Sequence, residues 1–206
     1  MFKKILMYIL KGISILIISV FIFFIIATIF AFTYVIRITD TSKYLKTDGK
    51  LSEFILFPQK LEKIDEIVEY HYIDYQLRDG REVVLIAKYN QISYYEEIQR
   101  IEKLCYQSSK FKSDTKYIMK DFDNVLFNKP TYVTTYIPDR TYEYACIDDS
   151  TYTVSYFFIE FMSKERVSVK SEFLPKIYTD DNELYSQYCY DIYMLSEYDE
   201  YNIWLN

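Results

Sequence analysis

The chain has 206 residues, of which half are hydrophobic and 19% aromatic, and its formal net charge is −6. This composition excludes a disordered or collagen-like chain, and three widely separated glycines argue against a glycine-rich phosphate loop. Tyrosine is unusually frequent, with 24 residues. Residue types with AT-rich codons greatly outnumber those with GC-rich codons, so an AT-rich genome accounts for part of this excess.

A run of 25 uncharged residues occupies positions 12–36. As a helix it would be roughly 37 Å long, which is enough to cross a hydrocarbon core of about 30 Å. The run exceeds the roughly 7–15 apolar residues of a cleaved signal peptide, and no small-x-small cleavage site closes it. We therefore predict an uncleaved signal anchor, a single-pass transmembrane helix at residues 12–36 that contacts the lipid bilayer.

The charges beside this run predict its orientation. Lys3, Lys4 and Lys11 precede it without an acidic residue, which favours a cytoplasmic N-terminus at residues 1–11 and an extracytoplasmic domain after the helix. The reverse topology, with the domain as a cytoplasm-facing subunit of a membrane complex, is an alternative. The rest of the chain is acidic, so we expect no nucleic-acid partner. The sequence identifies no protein or envelope partner.

The residues after the anchor divide into three parts. Residues 37–53 are polar and predict a linker, residues 54–195 predict a folded domain, and residues 196–206 form an acidic aromatic tail. Within the domain, β-branched and aromatic runs separated by turn residues predict the order β-β-α-β-β-β-β-α. We expect an α+β fold in which an antiparallel sheet carries helices packed on one face.

The first half of the domain has the clearest local signals. Asp79–Gly80 lies between two β-branched runs and predicts a two-residue hairpin turn between strands at 67–77 and 83–87, with His71 facing Lys88. Ser93 and Glu96 have the spacing of a capping box, which predicts a helix at residues 93–107.

The second half predicts a meander. A short extended piece is expected at 117–119, and Pro138–Asp139 predicts a two-residue turn. The expected strands are at 132–137, 140–147, 151–162 and 167–173, and a second helix is expected at 181–195.

Residue types that could carry chemistry lack the spacing that chemistry needs. His71, the only histidine, has no nucleophile in a motif with it, so we expect a structural or surface role. The cysteines show no disulfide framework or metal-ligand spacing and allow at most one disulfide, so buried thiols are expected. The acid pairs Asp148–Asp149 and Asp180–Asp181 have the character of turn or helix-cap residues. The three cysteines are Cys105, Cys146 and Cys189. We predict no catalytic residue, metal site or cofactor.

Some tyrosines form the one candidate ligand surface, because exposed tyrosine rings can stack on sugars or bind peptide side chains. Two tyrosines fall on one face of each of three strands. The predicted two-residue turn makes the first pair point away from the second, so both sheet faces share them and we expect most to pack in the core. The candidates are Tyr132, Tyr136, Tyr142, Tyr144, Tyr152 and Tyr156.

Short stretches across residues 54–178 carry a resemblance. They are Leu56–Phe57–Pro58, Ala87–Lys88–Tyr89, Tyr94–Leu104, Pro130–Val133, Tyr142–Ala145, Tyr156–Met162 and Phe173–Lys176. With these the chain resembles a family of single-pass membrane-anchored Firmicutes proteins of unknown function. The resemblance implies a bacterial source and supplies no activity, so no functional residue is carried over.

The sequence thus predicts a membrane-anchored extracytoplasmic domain with a binding, envelope-associated or accessory role and no catalytic activity. The alternative from another class is a membrane-tethered hydrolase of cell-envelope glycan or peptide. A cleft with two facing carboxylates would favour the hydrolase, whereas filled sheet faces would favour the accessory role.

Overall fold

The computed structural model describes residues 2–44, 54–75, 80–107, 118–180, 188 and 190–191. Helix α1 spans Phe2–Thr33. Its segment Lys11–Ile29 has a mean hydropathy of 2.9 and is not buried against any other part of the described chain, so α1 is long and apolar enough to cross a membrane. The helix ends before the predicted boundary at residue 36, because Ile36 already belongs to the sheet.

Among the described residues, eight strands form one antiparallel sheet, which is consistent with an α+β fold. Strand β1 takes up Ile36 and the first two residues of the predicted linker 37–53, which is therefore not wholly a linker. The spatial order is β1-β2-β3-β7-β6-β5-β4, with β8 beside β5. The strands are β1 (Ile36–Ile38), β2 (Glu66–Tyr75), β3 (Gly80–Lys88), β4 (Met119–Asp121), β5 (Thr131–Ile137), β6 (Thr141–Asp148), β7 (Thr153–Glu160) and β8 (Tyr190–Asp191).

The register of β2 and β3 differs from the prediction. Tyr75 pairs with Gly80, so His71 faces Val84 and not Lys88. The loop is longer than the two residues that Asp-Gly predicts, and residues 76–79 lie outside the described residues. Gly80 allows a close approach: a Cβ there would lie 3.0 Å from the flexible Met162 sulfur and 3.4 Å from the Phe161 carbonyl oxygen.

Helix α2 spans Gln91–Gln107 and begins two residues before the predicted start. The amide N–H of Ser93 donates to the side-chain oxygen of Asn90 at 2.9 Å, so Asn90 and not Ser93 caps the helix. Tyr94 and Ile101 on its inner side are fully buried against the sheet.

Two cores lie on opposite sides of the sheet. On the side that we call the α2 face, α2 and residues 54–64 cover the strands. On the opposite side, the loop face, the cover consists of irregular residues at 122–129 and 161–175 and the short helix α3 (Lys176–Thr179). The helices therefore lie on both faces, and the prediction of one helical face is wrong.

The predictions of a strand and a helix after β7 are also wrong for the residues that the structure describes. Residues 167–173 have irregular backbone that ends in a turn at 171–173 on the loop face, because β7 already has β3 and β6 as neighbours and offers no open edge for another strand. Of the predicted helix 181–195, Tyr190–Asp191 pairs with β5 as a strand. Most of the rest of that helix and the tail 196–206 lie outside the described residues.

Candidate functional site

The tyrosines predicted as a ligand surface belong mainly to the core. Five of the six are at most 1% exposed and line the two cores, which corrects that prediction. Tyr152, which is partly buried, packs its ring 5.6 Å from that of Tyr94 in the turn before β7. The buried five are Tyr132, Tyr136, Tyr142, Tyr144 and Tyr156.

Two local irregularities place these tyrosines on sheet faces other than the predicted ones. The β5–β6 loop has three residues and not two, with Asp139 at a φ of 60° after Pro138. As a result Tyr136 pairs directly with Tyr142, and their ring centroids lie 5.2 Å apart on the loop face. The register shift between Val133 and Thr135 then leaves Tyr132 on the α2 face.

A cavity of about 340 Å³ lies between residues 58–63 and helix α2. Its size is at the lower end for small-molecule sites, which are typically about 300–1,000 Å³. Charged side chains of both signs surround it. The lining residues of this α2 cavity are Pro58, Gln59, Lys60, Glu62, Lys63, Tyr89, Glu96, Glu97 and Arg100.

A buried hydrogen-bond network forms the floor of the α2 cavity. The Glu97 carboxylate accepts from the Tyr156 hydroxyl at 2.6 Å and from Arg100 Nη2 and Nε at 2.6 and 2.9 Å. The Tyr89 and Tyr156 hydroxyls lie 2.9 Å apart. Arg100 Nη2 also donates to the Leu56 carbonyl at 2.5 Å, which fixes residues 54–58 to the helix.

The protonation states on this floor follow from burial and pairing. Burial raises the pKa of Tyr156 and of Tyr89, and the nearby Glu97 carboxylate raises both further. Burial acts to lower the pKa of Arg100, but the hydrogen bond and charge of Glu97 outweigh it and raise that pKa. At neutral pH the floor therefore holds two neutral phenols and a charged guanidinium, which is hydrogen-bonded to Glu97.

The rim of the α2 cavity is more open to solvent. Lys63 and Glu96 form an exposed ion pair at 2.7 Å. Within the described part of the chain, Lys60 has no hydrogen-bond or ion-pair partner and lies at the cavity mouth. Its ammonium group is thus available to a ligand that carries a carboxylate or another anionic group.

A second polar cluster lies at the loop face around His71. His71 Nε2 is 2.7 Å from Glu82 Oε1, and His71 Nδ1 is 3.2 Å from Glu69 Oε1. Ser168 Oγ is 3.2 Å from His71 Nε2 and contacts the Glu82 carboxylate. The amide N–H of Ser168 donates to Glu82 Oε2 at 2.8 Å.

This cluster contains the residue types of a nucleophile–base–acid arrangement but not the required proton positions. Because the ionised Glu82 carboxylate can only accept hydrogen bonds, the His71 Nε2 atom 2.7 Å from it must carry a hydrogen and donate in this hydrogen bond, so it cannot accept the proton of Ser168. Burial acts to raise the pKa of Glu82, and hydrogen bonds from His71 and Ser168 outweigh it and lower that pKa. The charged cluster anchors the segment around Ser168 to β2 and β3.

Sequence reasoning treated His71 as structural or surface but missed its partners. Ser168 is 97 positions away from His71, so no local spacing could connect the two. One signal was present: Glu82 is the only acidic residue in the apolar strand β3, and it is fully buried. A buried acid requires hydrogen-bond partners, which could have identified Glu82.

The acid pairs and the cysteines named in the sequence analysis, where the structure describes them, lie in positions that explain them structurally. Asp148 accepts from the Ser150 amide and hydroxyl at 3.0 and 2.6 Å, and Asp149 accepts from the Tyr94 hydroxyl at 2.6 Å, as turn residues do. Cys146 is a free, buried thiol whose pKa burial raises to about 12. The side chain of Cys105 and all of Cys189 lie outside the described residues, as does Asp181.

Comparison with known proteins gives no match, since no family model, no curated protein and no solved structure is similar to this chain. Among the described residues, no group of three or more His, Cys, Asp or Glu side chains is placed to hold a metal ion. The α2 cavity and the His71 cluster are therefore the two features on which a functional proposal can be built.

Proposed function

We propose that the chain is a single-pass anchored protein of a bacterial cell membrane, with an extracytoplasmic domain that has a binding, envelope-associated or accessory role. One observation carries the anchor: the apolar segment Lys11–Ile29 has no protein cover among the described residues, while the following domain buries its own apolar surface on both sheet faces. Such an apolar surface requires lipid or a partner to cover it.

The binding role is supported by the α2 cavity. Its phenol, guanidinium and ammonium groups can donate hydrogen bonds; Lys60 can pair with an anionic group of a ligand, and Glu62, which also has no partner among the described residues, can pair with a cationic one. Segments of the same chain cover both sheet faces, so an extended glycan would find no open groove across the sheet. A small polar ligand, or the carboxylate end of a peptide, fits the cavity better than a long polymer.

A membrane-tethered hydrolase is the second candidate, and one observation favours it: the exposed Ser168 hydroxyl lies 3.2 Å from His71 Nε2. A fluorophosphonate probe distinguishes the candidates, because it labels only an activated serine. Under the accessory role we expect no labelling of Ser168 in the full chain. Labelling that is lost in His71→Gln and Ser168→Ala would favour the hydrolase.

Anchoring and orientation are tested by two measurements on the full chain. We expect α1 to keep the protein in the membrane fraction during alkaline carbonate extraction. A reporter that is active only outside the cytoplasm, fused after Asn206, should be active, because Lys3, Lys4 and Lys11 favour a cytoplasmic N-terminus. Activity of a cytoplasm-only reporter at the same position would instead support the cytoplasm-facing subunit.

The cavity is tested by ligand-induced thermal stabilisation of the full chain in detergent. The probes are soluble envelope peptides with a free C-terminal carboxylate and the same peptides with an amidated C-terminus. We expect stabilisation by the free acids, weakened roughly tenfold in apparent affinity in Lys60→Ala. Lys103→Ala, an exposed position on α2 outside the cavity lining, is the matched control. Equal responses of the two variants would contradict the proposed site.

A further inference from the structure

The connection between the membrane helix and the sheet is short. Helix α1 ends at Thr33 and strand β1 begins at Ile36, so only Tyr34 and Val35 lie between them. The three Cα–Cα steps from Thr33 to Ile36 span at most about 11 Å. If α1 lies in the bilayer, as the proposed function requires, the start of β1 lies at the membrane surface.

The register shows which other residues share that end of the sheet. Ile36 pairs with Asp74, and Asp74 pairs with Arg81 on the next strand. Arg81 pairs with Glu160 at the end of β7, and Glu160 also pairs with Thr141 at the start of β6. The end of β7 is therefore level with the start of β1, three strands away across the sheet.

Phe161 follows Glu160 directly and has an unusual conformation. Its side chain is 44% exposed, and its φ of 48° is rare for a large side chain. The Phe161 amide N–H donates to the Arg140 carbonyl at 2.6 Å, and its carbonyl is close to Gly80. The fold thus holds the backbone in a strained state in which an apolar ring points to the outside, as occurs at binding sites.

We propose that Phe161, with the exposed Arg140 beside it, inserts into the headgroup layer of the bilayer that contains α1. An aromatic ring next to a cation is the composition that proteins use at this layer. Asp139 offsets the charge of Arg140, so the ring supplies most of the affinity and a zwitterionic lipid suffices. The contact fixes the domain against the membrane at a second point, and it rests on the proposed anchor.

The chain offers a matched control at the opposite end of the sheet. Phe122 is 41% exposed, nearly as much as Phe161. It follows Asp121, whose partner Thr131 is level with Cys146 and Ser155. Phe122 and Phe161 each lie one position beyond Ser155 and Glu160, towards opposite ends, so seven strand positions, roughly 23 Å, separate the two phenylalanines along the strands.

Tryptophan fluorescence in vesicles of brominated phosphatidylcholine tests the contact. In a Trp204→Phe background, which removes the only natural tryptophan, three variants each carry one reporter: Phe23→Trp in α1, Phe161→Trp and Phe122→Trp. We expect bromines deep in the acyl chains to quench Phe23→Trp. Bromines near the headgroups should quench Phe161→Trp several-fold more strongly than Phe122→Trp.

The outcomes separate this proposal from the anchor. Quenching of Phe23→Trp with equal, weak quenching of the other two would overturn the lipid contact and leave the anchor in place. Absence of quenching at all three positions would overturn the anchor itself. Hydrogen exchange on the unsubstituted chain gives a second measurement: peptides around residue 161 should exchange several-fold more slowly in nanodiscs than in detergent, while those around residue 122 should not change.

Discussion

The two faces of the sheet are covered in different ways. On the α2 face, the main cover is a regular helix whose backbone amides bond within the helix. On the loop face the cover is irregular, and side-chain carboxylates must accept its amides. Asp121 alone accepts the amide N–H groups of Val125, Leu126 and Phe127 at 2.7 to 2.8 Å.

The difference shows what three of the buried acids, Asp121, Glu82 and Glu143, do. Glu82 accepts the amide of Ser168 on the loop face. On the α2 face, Glu143 accepts the amide of Leu56 at 2.8 Å, where the cover is again irregular. Each of these acids lies where an irregular segment crosses the sheet, because a buried amide without an acceptor is costly. Their positions are explained by backbone anchoring.

Raising the pH should have the largest effect, because tyrosines are buried on both faces. Burial raises the pKa of Tyr70 and of Tyr72 to about 12, and it raises the pKa of Tyr144 and Tyr156 as well. The folded state favours the neutral phenols, so their contribution is complete below about pH 10 and is lost as the pH rises above it. The part of the tyrosinate absorbance that comes from the ten tyrosines buried in the described part of the chain should rise in the same transition in which circular dichroism is lost. Ionisation of these buried tyrosines in a domain that keeps its circular dichroism would contradict this packing.

Asp121→Ala should have the next largest effect and act on the loop face. The change leaves three amides without an acceptor, and we expect a loss of roughly 3–5 kcal/mol in the free energy of unfolding. Urea denaturation of the full chain in detergent measures it. Asp123→Ala, at an exposed neighbouring position, should change the stability by less than about 0.5 kcal/mol. Similar losses in the two variants would argue against the anchoring role.

Glu82→Gln should have a smaller effect that depends on pH. At neutral pH the loss of charge-assisted bonds to His71 and Ser168 should cost about 1.5–3 kcal/mol. The lowered pKa of Glu82 contributes stability above its ordinary value of 4.5, and this stability is lost as the pH falls through the folded value. The difference between wild type and variant should therefore shrink in acid. Glu66→Gln, exposed on β2, is the control, and a difference independent of pH would refute the assignment.

Tyr89→Phe should have the smallest effect and sharpens the comparison on the α2 face. It removes one hydroxyl from the network under α2, while Tyr156 keeps its bond to Glu97. We expect a loss of about 1 kcal/mol by urea denaturation. The control is Tyr95→Phe, at a largely exposed position on α2, and it should have no measurable effect on stability. A loss as large as that in Asp121→Ala would mean that the regular cover depends on side-chain bonds as much as the irregular one.

Local pattern was sufficient for most of the sheet and the long helix. Strand β5 begins one residue from its predicted start, and β6 and β7 overlap their predictions closely. The errors arose where distant parts of the chain decide the outcome. Residues 167–173 have the pattern of a strand but meet a sheet with no free edge beside β7.

The candidate sites were less predictable than the fold. The face of each tyrosine depended on one extra loop residue at Arg140 and on the register shift after Val133, and neither has a clear local signal. The α2 cavity joins residues 58–63 to α2 and Tyr89, which only the tertiary fold brings together. The uncharged run that can span a membrane, in contrast, could be predicted without any knowledge of the tertiary fold.

The short β1 strand also determines how the molecule responds to force. Any pull between the bilayer and the domain passes through the three residue pairs that join β1 to β2, including Ile36 with Asp74. These pairs lie at the sheet edge and open one after another, so they yield before the central strands. Once they open, residues 36–43 can extend by on the order of 25 Å before the load reaches Tyr44, which is buried in the core and donates its hydroxyl to the Pro58 carbonyl. The stretch from β1 to Tyr44 thus forms a stored length of tether, which tension releases while the core from β2 to β7 stays intact.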